Sequence, residues 1–196
     1  AGADLTSGCD NILIGLKAGL KITTQKWNQF LGWYAGICNT GCYNTAIGQC
    51  ALMGSATPGN NTGGNNFGGG YRSLFGLTSG AGNVAIGKDA ARCITTGGYN
   101  VVFGTAAEQL TEGHKNISIG TGAHHCITTG GCNIGIGFCA GRGCGGALTG
   151  CQNIHIGSNA GYCNSSGCYN VAIGCAAGCK ETTGKYNLSL GFKAGC

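Results

Sequence analysis

Apolar and polar residues alternate within a five-residue segment that recurs along the whole chain. The segment consists of Asn, an aliphatic residue, a variable residue, a second aliphatic residue and Gly, and residues 83–87 and 170–174 both read NVAIG. Successive copies begin 16 to 22 residues apart, most often 17. A fixed period of this length predicts a solenoid, in which each repeat forms one turn and stacked turns bury a continuous core.

We number the positions of each turn from the motif Asn, which is position 0. Positions 1 and 3 are apolar in almost every copy, as in Ile12/Ile14 and Val84/Ile86. Alternation with a period of two predicts a short strand whose side chains at positions 1 and 3 are buried. The residue between them is then expected to face outward, where its small size would give a smooth face for a neighbouring chain: Ala46, Gly68, Ala85, Ser118, Gly135, Ala172 and Ser189.

The second half of each turn carries an aliphatic-Thr-Thr-Gly pattern, as in residues 94–97, and predicts a second strand because Ile and Thr favour pleated backbone. Gly at position 4 and Ala at position 7 predict a corner and a thin interior. Together these features predict an all-β fold, a parallel β-solenoid (β-roll) of about 11 turns with a period of 16–17 residues. We expect one domain over residues 1–196, with longer loops at 51–65 and 141–152 that are either binding faces or tolerated bulges.

Stacked turns about 4.8 Å apart bring like residues into register, which predicts two polar ladders. We expect both ladders to be mainly structural, because polar side chains at the bends satisfy backbone hydrogen-bonding groups. The ladder at position 0 comprises Asn11, Asn28, Asn44, Asn83, Asn100, Asn116, Asn133, Asn153, Asn170 and Asn187. The ladder at position 12, which is also a candidate binding ladder, comprises Thr6, Thr23, Thr40, Thr78, Thr95, Thr128, Ser165 and Thr182.

Composition excludes several classes of protein. The 196 residues include 42 Gly without a three-residue period, which excludes collagen. The net charge of +5 comes from Lys and Arg residues that form no run, so we expect no nucleic-acid partner. The chain contains no apolar run of about 18 residues, so we expect no membrane span.

The two ends of the chain fall at nearly the same point of the turn, since residues 1–2 and 194–195 both read Ala-Gly. Neither end carries a polar or helical cap, and an uncapped solenoid exposes core and strand edges. We expect either that copies stack head to tail or that the chain is part of a longer array, and we favour stacking.

Cysteine is abundant: 15 residues, with no CxxC pair, indicate disulfides rather than zinc and therefore an extracellular location. Four candidate disulfides bracket the second predicted strand within one turn: Cys38/Cys42, Cys126/Cys132, Cys144/Cys151 and Cys163/Cys168. Pairs between adjacent turns are also open, namely Cys151/Cys168 and Cys179/Cys196. The odd number leaves one cysteine over, and we expect Cys196 to bridge to Cys9 of the next copy.

The sequence offers little that could catalyse a reaction. It contains four His and six acidic residues, and residues 124–126 (His-His-Cys) form the only local cluster, with His155 about two turns away. This spacing does not match a metal site, and neither a nucleophile motif nor a phosphate-binding loop occurs. We therefore predict no enzyme activity, no bound metal and no cofactor.

Residues 44–48 read NTAIG, and Ala-Gly and Thr-Thr-Gly elements recur in register with this motif. The repeat resembles the turns of trimeric autotransporter adhesin heads and, more closely, those of phage tail-fibre-like proteins. The resemblance covers nearly the whole chain. It implies a parallel left-handed β-roll, usually in a trimer, that acts as an adhesive or spacer rod.

These features predict a structural protein, a rod or filament subunit that is secreted or part of a virion surface. The expected partner is the chain itself, in a homopolymer or a homotrimer assembled end to end or side by side. Host surface glycans are a further expected partner. The alternative is a solenoid that binds ice through the Thr ladder, or carbohydrate through the aromatic residues before the motif Asn: Trp27, Tyr43, Tyr99, Tyr169 and Tyr186.

Overall fold

The computed structural model describes residues 1–54, 61–105, 112–125, 128–143, 149–180 and 182–196. Within these ranges the chain forms eleven strands of three residues, one for each copy of the motif, and no helix. The strands are β1 (Ile12–Ile14), β2 (Gln29–Leu31), β3 (Thr45–Ile47), β4 (Phe67–Gly69), β5 (Val84–Ile86), β6 (Val101–Phe103), β7 (Ile117–Ile119), β8 (Ile134–Ile136), β9 (Ile154–Ile156), β10 (Val171–Ile173) and β11 (Leu188–Leu190).

The strands pair in sequence order within one parallel sheet, from β1 beside β2 to β10 beside β11. The register is kept at every step, so that Ile12 lies opposite Gln29 and Val84 lies opposite Val101. Equal positions of successive turns therefore form columns with a spacing of about 4.8 Å. The predicted parallel β-solenoid is confirmed.

The two faces of each strand are the reverse of those predicted. The middle residue faces the interior, and Ala46 and Ala85 are 0% exposed, whereas the flanking Ile14 and Ile47 are 60% and 46% exposed. Alternation with a period of two shows only that the residue at position 2 and the residues at positions 1 and 3 face opposite sides of the strand. The narrow interior admits the smaller side chains, which are those at position 2. All the small residues that we expected outside are buried inside: Ala46, Gly68, Ala85, Ser118, Gly135, Ala172 and Ser189.

One interior slot in each turn is shared by the middle residue of the strand and the residue at position 8. Where the strand supplies Phe30, position 8 is Gly36, and a Cβ added there would collide with the Phe30 ring. Where the strand supplies Gly68, position 8 is Leu74, which is fully buried. In the described turns the slot thus holds at most one larger side chain, which explains why the outer aliphatic residues do not fit inside.

The predicted second strand is absent from the described residues. The Thr-rich segment bends instead, and the N–H groups of Thr6, Ser7 and Gly8 all donate to the carbonyl oxygen of Thr23, at 2.9, 3.1 and 3.0 Å. A strand ladder would instead pair each carbonyl with a single N–H. The β-propensity of Ile and Thr is therefore overridden by the bend.

Tight corners separate the segments of each turn. The residue before the motif Asn has a positive φ even when its side chain is large, as at Trp27 (57°) and Tyr43 (61°). Gly at position 4 has a φ between 98° and 139°, which disfavours other residues. Space also requires Gly there, because a Cβ added at Gly87 would lie 2.9 Å from the carbonyl oxygen of Gly104.

The two longer loops lie partly outside the described residues, since residues 55–60 and 144–148 belong to them. The sheet continues past both, because β3 pairs with β4 and β8 pairs with β9 in the same register as elsewhere. The additional residues of these turns therefore do not interrupt the columns of the solenoid.

Candidate functional site

The outer side of the sheet carries two columns of mostly apolar residues, at positions 1 and 3; the exceptions are Gln29 and Thr45 at position 1 and Gly69 at position 3. They run from Ile12 and Ile14 in β1 to Leu188 and Leu190 in β11, and all four of these side chains are exposed. No charged residue occupies either column. Because the eleven strands lie about 4.8 Å apart, the apolar strip is roughly 48 Å long.

Apolar side chains extend this strip on both sides. At position −1, Trp27 stacks on Tyr43 with the ring centroids 4.7 Å apart, and Tyr169 stacks on Tyr186 at 5.0 Å. At position 5 the exposed side chains include Leu16, Trp33, Tyr71, Phe138 and Phe192. We call the four columns at positions −1, 1, 3 and 5 the outer apolar face.

Exposed hydrophobic residues concentrate on the outer apolar face. The described part of the chain exposes nineteen large hydrophobic side chains, and all except Leu5 lie on this face. Three charged residues interrupt it, Asp10 and Lys115 at position −1 and Lys88 at position 5. An apolar patch of more than a few hundred Å² is uncommon on a monomeric protein and marks an interaction surface.

The Asn residues at position 0 form a hydrogen-bonded ladder inside the solenoid. Nδ2 of Asn100 donates to the carbonyl oxygen of Gly113 at 2.8 Å and to Oδ1 of Asn83 at 3.0 Å. Its Oδ1 accepts from the backbone N–H and the Nδ2 of Asn116, at 2.9 and 3.2 Å. Asn66, which the sequence-based ladder omitted, makes the same contacts, because the stack requires a member in every turn.

The ladder at position 12 directs its hydroxyl groups along the stack. Thr6, Thr78 and Ser165 each donate to the carbonyl oxygen of the ladder residue in the next turn, at 3.1, 3.0 and 2.9 Å. Thr40 donates in the same direction, to Asn61, at 3.1 Å. These hydroxyl hydrogens are therefore engaged with backbone.

The four predicted disulfides within single turns are not formed. Each of these pairs contains at least one free thiol, and the free members are Cys38, Cys42, Cys132, Cys151 and Cys168. Cys126 and Cys144 lie outside the described residues, and Cys163 is disulfide-bonded. Columns run along the stack, so cysteines of adjacent turns meet more readily than cysteines on either side of a bend.

Cys179 and Cys196 form a disulfide between adjacent turns, with Cα atoms 5.4 Å apart. This bond uses the sulfur of Cys196, which contradicts the predicted bridge from Cys196 to Cys9 of another copy. Cys9 is an exposed free thiol, and a hydrogen bond with Asp10 raises its pKa. Burial raises the pKa of the Cys38 and Cys50 thiols, so these three cysteines are poor nucleophiles.

The predicted histidine cluster is divided by the fold. His124 and His155 are buried with ring centroids 6.3 Å apart, whereas His125 is half-buried. Burial lowers the pKa of His124 to about 3 and that of His155 to about 4, so both are neutral at pH 7. In the described ranges, no group of three or more His, Cys, Asp and Glu side chains is placed to hold a metal ion.

The described residues include no helix with the length and apolar character needed to cross a membrane. Comparison with known proteins finds no matching family model, no matching curated protein and no matching solved structure. The outer apolar face is thus the candidate functional site on geometry alone.

Proposed function

We propose that the chain is a structural rod subunit that assembles side by side with further copies of itself through the outer apolar face. One observation carries the proposal: this face holds all but one of the exposed large hydrophobic side chains in the described part of the chain. The two central columns alone cover roughly 48 by 13 Å, on the order of 600 Å². Burial of that area contributes about 15 kcal/mol before the cost of association is subtracted.

A further copy of the chain fits this face well. The face extends along the whole sheet and repeats at the strand spacing, so its ridges can enter the grooves of an identical face. The two central columns with their flanking columns approach the roughly 800 Å² that each partner buries in a standard interface. No charged residue lies in the central columns to oppose their contact.

The proposed role is mechanical, and the proposed location is extracellular. Parallel in-register strands and the Asn ladder hold successive turns together along the axis. The disulfide between Cys179 and Cys196 supports an oxidising compartment. We propose no catalytic role, because the buried imidazoles are neutral and the thiols with raised pKa are poorly reactive.

The ligand-binding alternatives have less support. An ice-binding ladder presents hydroxyl groups to water, whereas the hydroxyl hydrogens of Thr6, Thr78 and Ser165 point to backbone carbonyls. A sugar stacks on an open aromatic face, whereas Trp27 and Tyr43 cover each other. Lateral self-association uses the same aromatic residues without requiring open rings.

Charged substitutions on the outer apolar face test the proposal. Ile86→Glu combined with Ile119→Glu places two carboxylates at exposed sites of the position-3 column without disturbing the interior. We expect the unsubstituted chain to sediment as an oligomer. The oligomer of this variant should dissociate at protein concentrations at least tenfold higher than that of the unsubstituted chain, because two desolvated charges oppose the contact.

The matched control carries the same substitutions in the same two turns but at position 13. Thr96 and Thr129 are exposed on another side of the solenoid, so Thr96→Glu with Thr129→Glu should leave the sedimentation of the oligomer unchanged. The proposal fails if the unsubstituted chain is monomeric at all concentrations, or if both variants assemble equally well.

A further inference from the structure

Two buried histidines approach each other across the turn that contains Gly135 and Gly141. His124 occupies position 8 of the preceding turn, and His155 is the middle residue of β9 in the following turn. The intervening turn has Gly at both positions that share the interior slot, so it supplies no side chain of its own. The His124 ring extends into this slot, since a Cβ added at Gly135 or Gly141 would contact it, and Nδ1 of His155 would also lie 2.7 Å from a Cβ added at Gly141.

Three polar atoms lack a hydrogen-bond partner in the described protein at this place: Nε2 of His124, Nδ1 of His155 and Oδ1 of Asn164. Their residues are only 1%, 3% and 2% exposed. All three residues line one cavity of about 10 Å³. An unsatisfied buried polar atom costs about 1–3 kcal/mol, so this arrangement favours an occupant that satisfies all three atoms.

The two ring nitrogens lie close to one point, which Cδ2 of His124 also approaches. A Cβ added at Gly141 would lie 2.7 Å from Nε2 of His124 and 2.7 Å from Nδ1 of His155. We propose that the cavity binds one water molecule, which bridges these two nitrogens and Oδ1 of Asn164. A volume of about 10–15 Å³ holds a single water, and a buried water typically makes two to four hydrogen bonds.

The separation of the rings distinguishes water from a metal ion. A water that makes two hydrogen bonds of about 2.8 Å at a tetrahedral angle places the ring centroids about 6.5 Å apart. A tetrahedral zinc ion with bonds of about 2.0–2.1 Å places them about 5.2 Å apart. A direct N–H···N bond of about 2.9 Å gives a similar 5.2 Å. The observed 6.3 Å agrees with the bridging water.

The chemistry of the lining also favours a neutral guest. Besides the two imidazoles and Asn164, the cavity is lined by Asn133, Asn153 and glycines, with no carboxylate to compensate a cation. A water can donate to Asn164 and to the unprotonated nitrogen of one imidazole, and it can accept the N–H of the other. Each neutral histidine thereby keeps one donor and one acceptor, and Nδ1 of His124 lies 2.8 Å from Oγ of Ser118.

A high-resolution crystal structure of the unsubstituted chain tests this inference. We expect one density peak within about 2.6–3.2 Å of all three atoms, without anomalous signal at the zinc or copper absorption edge. In Gly141→Ala the peak should be lost, because the new Cβ would fill the space beside the two ring nitrogens. The positive φ at position 8 is compatible with Ala, since Ala91 adopts a φ of 52° there, but at Gly141 the added Cβ would also displace the His124 ring.

Gly178→Ala is the matched control, because it makes the same change at position 8 of another turn and should keep the peak. Direct hydrogen bonding between the two rings with no peak overturns the proposal. A peak with anomalous signal at about 2.0–2.1 Å from the nitrogens overturns it in favour of a metal ion. The map of the unsubstituted chain decides between these outcomes even if Gly141→Ala does not fold, and it does so independently of lateral assembly.

Discussion

A buried ladder Asn uses both halves of its side-chain amide. For Asn100, two hydrogen bonds leave Nδ2 and two reach Oδ1, and the partners are backbone groups and the neighbouring ladder residues Asn83 and Asn116. Asp would lack the two donors, and Gln would be one methylene group too long. The ladder therefore explains why Asn recurs at position 0 while the neighbouring positions vary.

We predict that Asn100→Asp lowers the free energy of unfolding by about 3–5 kcal/mol, because it buries a carboxylate against the carbonyl oxygen of Gly113 and Oδ1 of Asn83. Urea unfolding at pH 7 measures this change. Asn65→Asp is the matched control, since Asn65 is exposed and Asp also tolerates its positive φ. Equal effects of the two substitutions would refute a structural role for the ladder amide.

We also predict that acid weakens the fold through His124 and His155. Burial lowers their pKa to about 3 and about 4, whereas the pKa in the unfolded chain is about 6.5. Below about pH 6.5 the unfolded chain therefore binds more protons than the folded chain, until the pH reaches the folded pKa values. In this window the free energy of unfolding should fall by about 1.4 kcal/mol for each imidazole with every unit by which the pH is lowered.

Urea unfolding between pH 7 and pH 4 measures this slope. The variants His124→Leu and His155→Ala use residues that other turns carry at the same positions, as in Leu74 and Ala172. Each variant should remove about half of the histidine contribution to the pH dependence of the free energy of unfolding. The double variant should retain only the pH dependence that other titrating groups cause. The same pH dependence in the double variant and the unsubstituted chain would show that these histidines are not responsible.

At the scale of the strand, the sequence predicts the existence of the motif strand but not which way its side chains face, and it also predicts a second strand that the described residues lack. Position and parallel register follow from the period, and even residues 66–70, which have Gly in place of the second aliphatic residue of the motif, contain β4. The direction of each face does not follow, because exposed Ile86 and buried Ala85 alternate in the same way for either choice. The complementary sizes at the middle of the strand and at position 8, as in Phe30/Gly36 and Gly68/Leu74, are the signal that could have identified the interior.

We predict that Cys151 and Cys168, free thiols in adjacent turns, form a disulfide on oxidation. The N–H of Cys151 lies 3.3 Å from Sγ of Cys168, and the bonded pair Cys179/Cys196 shows the same contact at 3.2 Å. Oxidised glutathione should accept the two electrons and two protons, yield two glutathione thiols and lower the combined mass of the two cysteine-containing peptides by about 2 Da. Peptide mapping identifies the bond.

The stabilisation expected from this bond is about 3 kcal/mol for a loop of 17 residues. In Cys168→Ser, Cys151 should carry a mixed disulfide with glutathione instead, which raises the mass. Cys42 is an internal control. It lies in the same column, but the adjacent turns carry Lys26 and Gly64 there, so it should form no disulfide with an adjacent turn at this position. If Cys151 remains a thiol, or forms only the mixed disulfide in the unsubstituted chain, the column geometry does not support the bond.

At the scale of the whole molecule, the sequence predicts the solenoid but assigns the wrong residues to its outer surface. The predicted lateral surface was a smooth face of small residues, and these residues lie inside the solenoid. The aliphatic residues that were assigned to the core instead form the outer apolar face, since one interior slot a turn cannot hold them. A narrow solenoid thus leaves in solvent the side chains that a wider fold would bury.

Electron microscopy of the purified, unsubstituted chain tests the central claim most directly. We predict rods wider than one solenoid at micromolar concentrations, and a reconstruction in which the columns at positions 1 and 3 of neighbouring copies face each other. Single rods with the outer apolar face in solvent, or bundles joined through the Thr ladder, would contradict the proposed assembly.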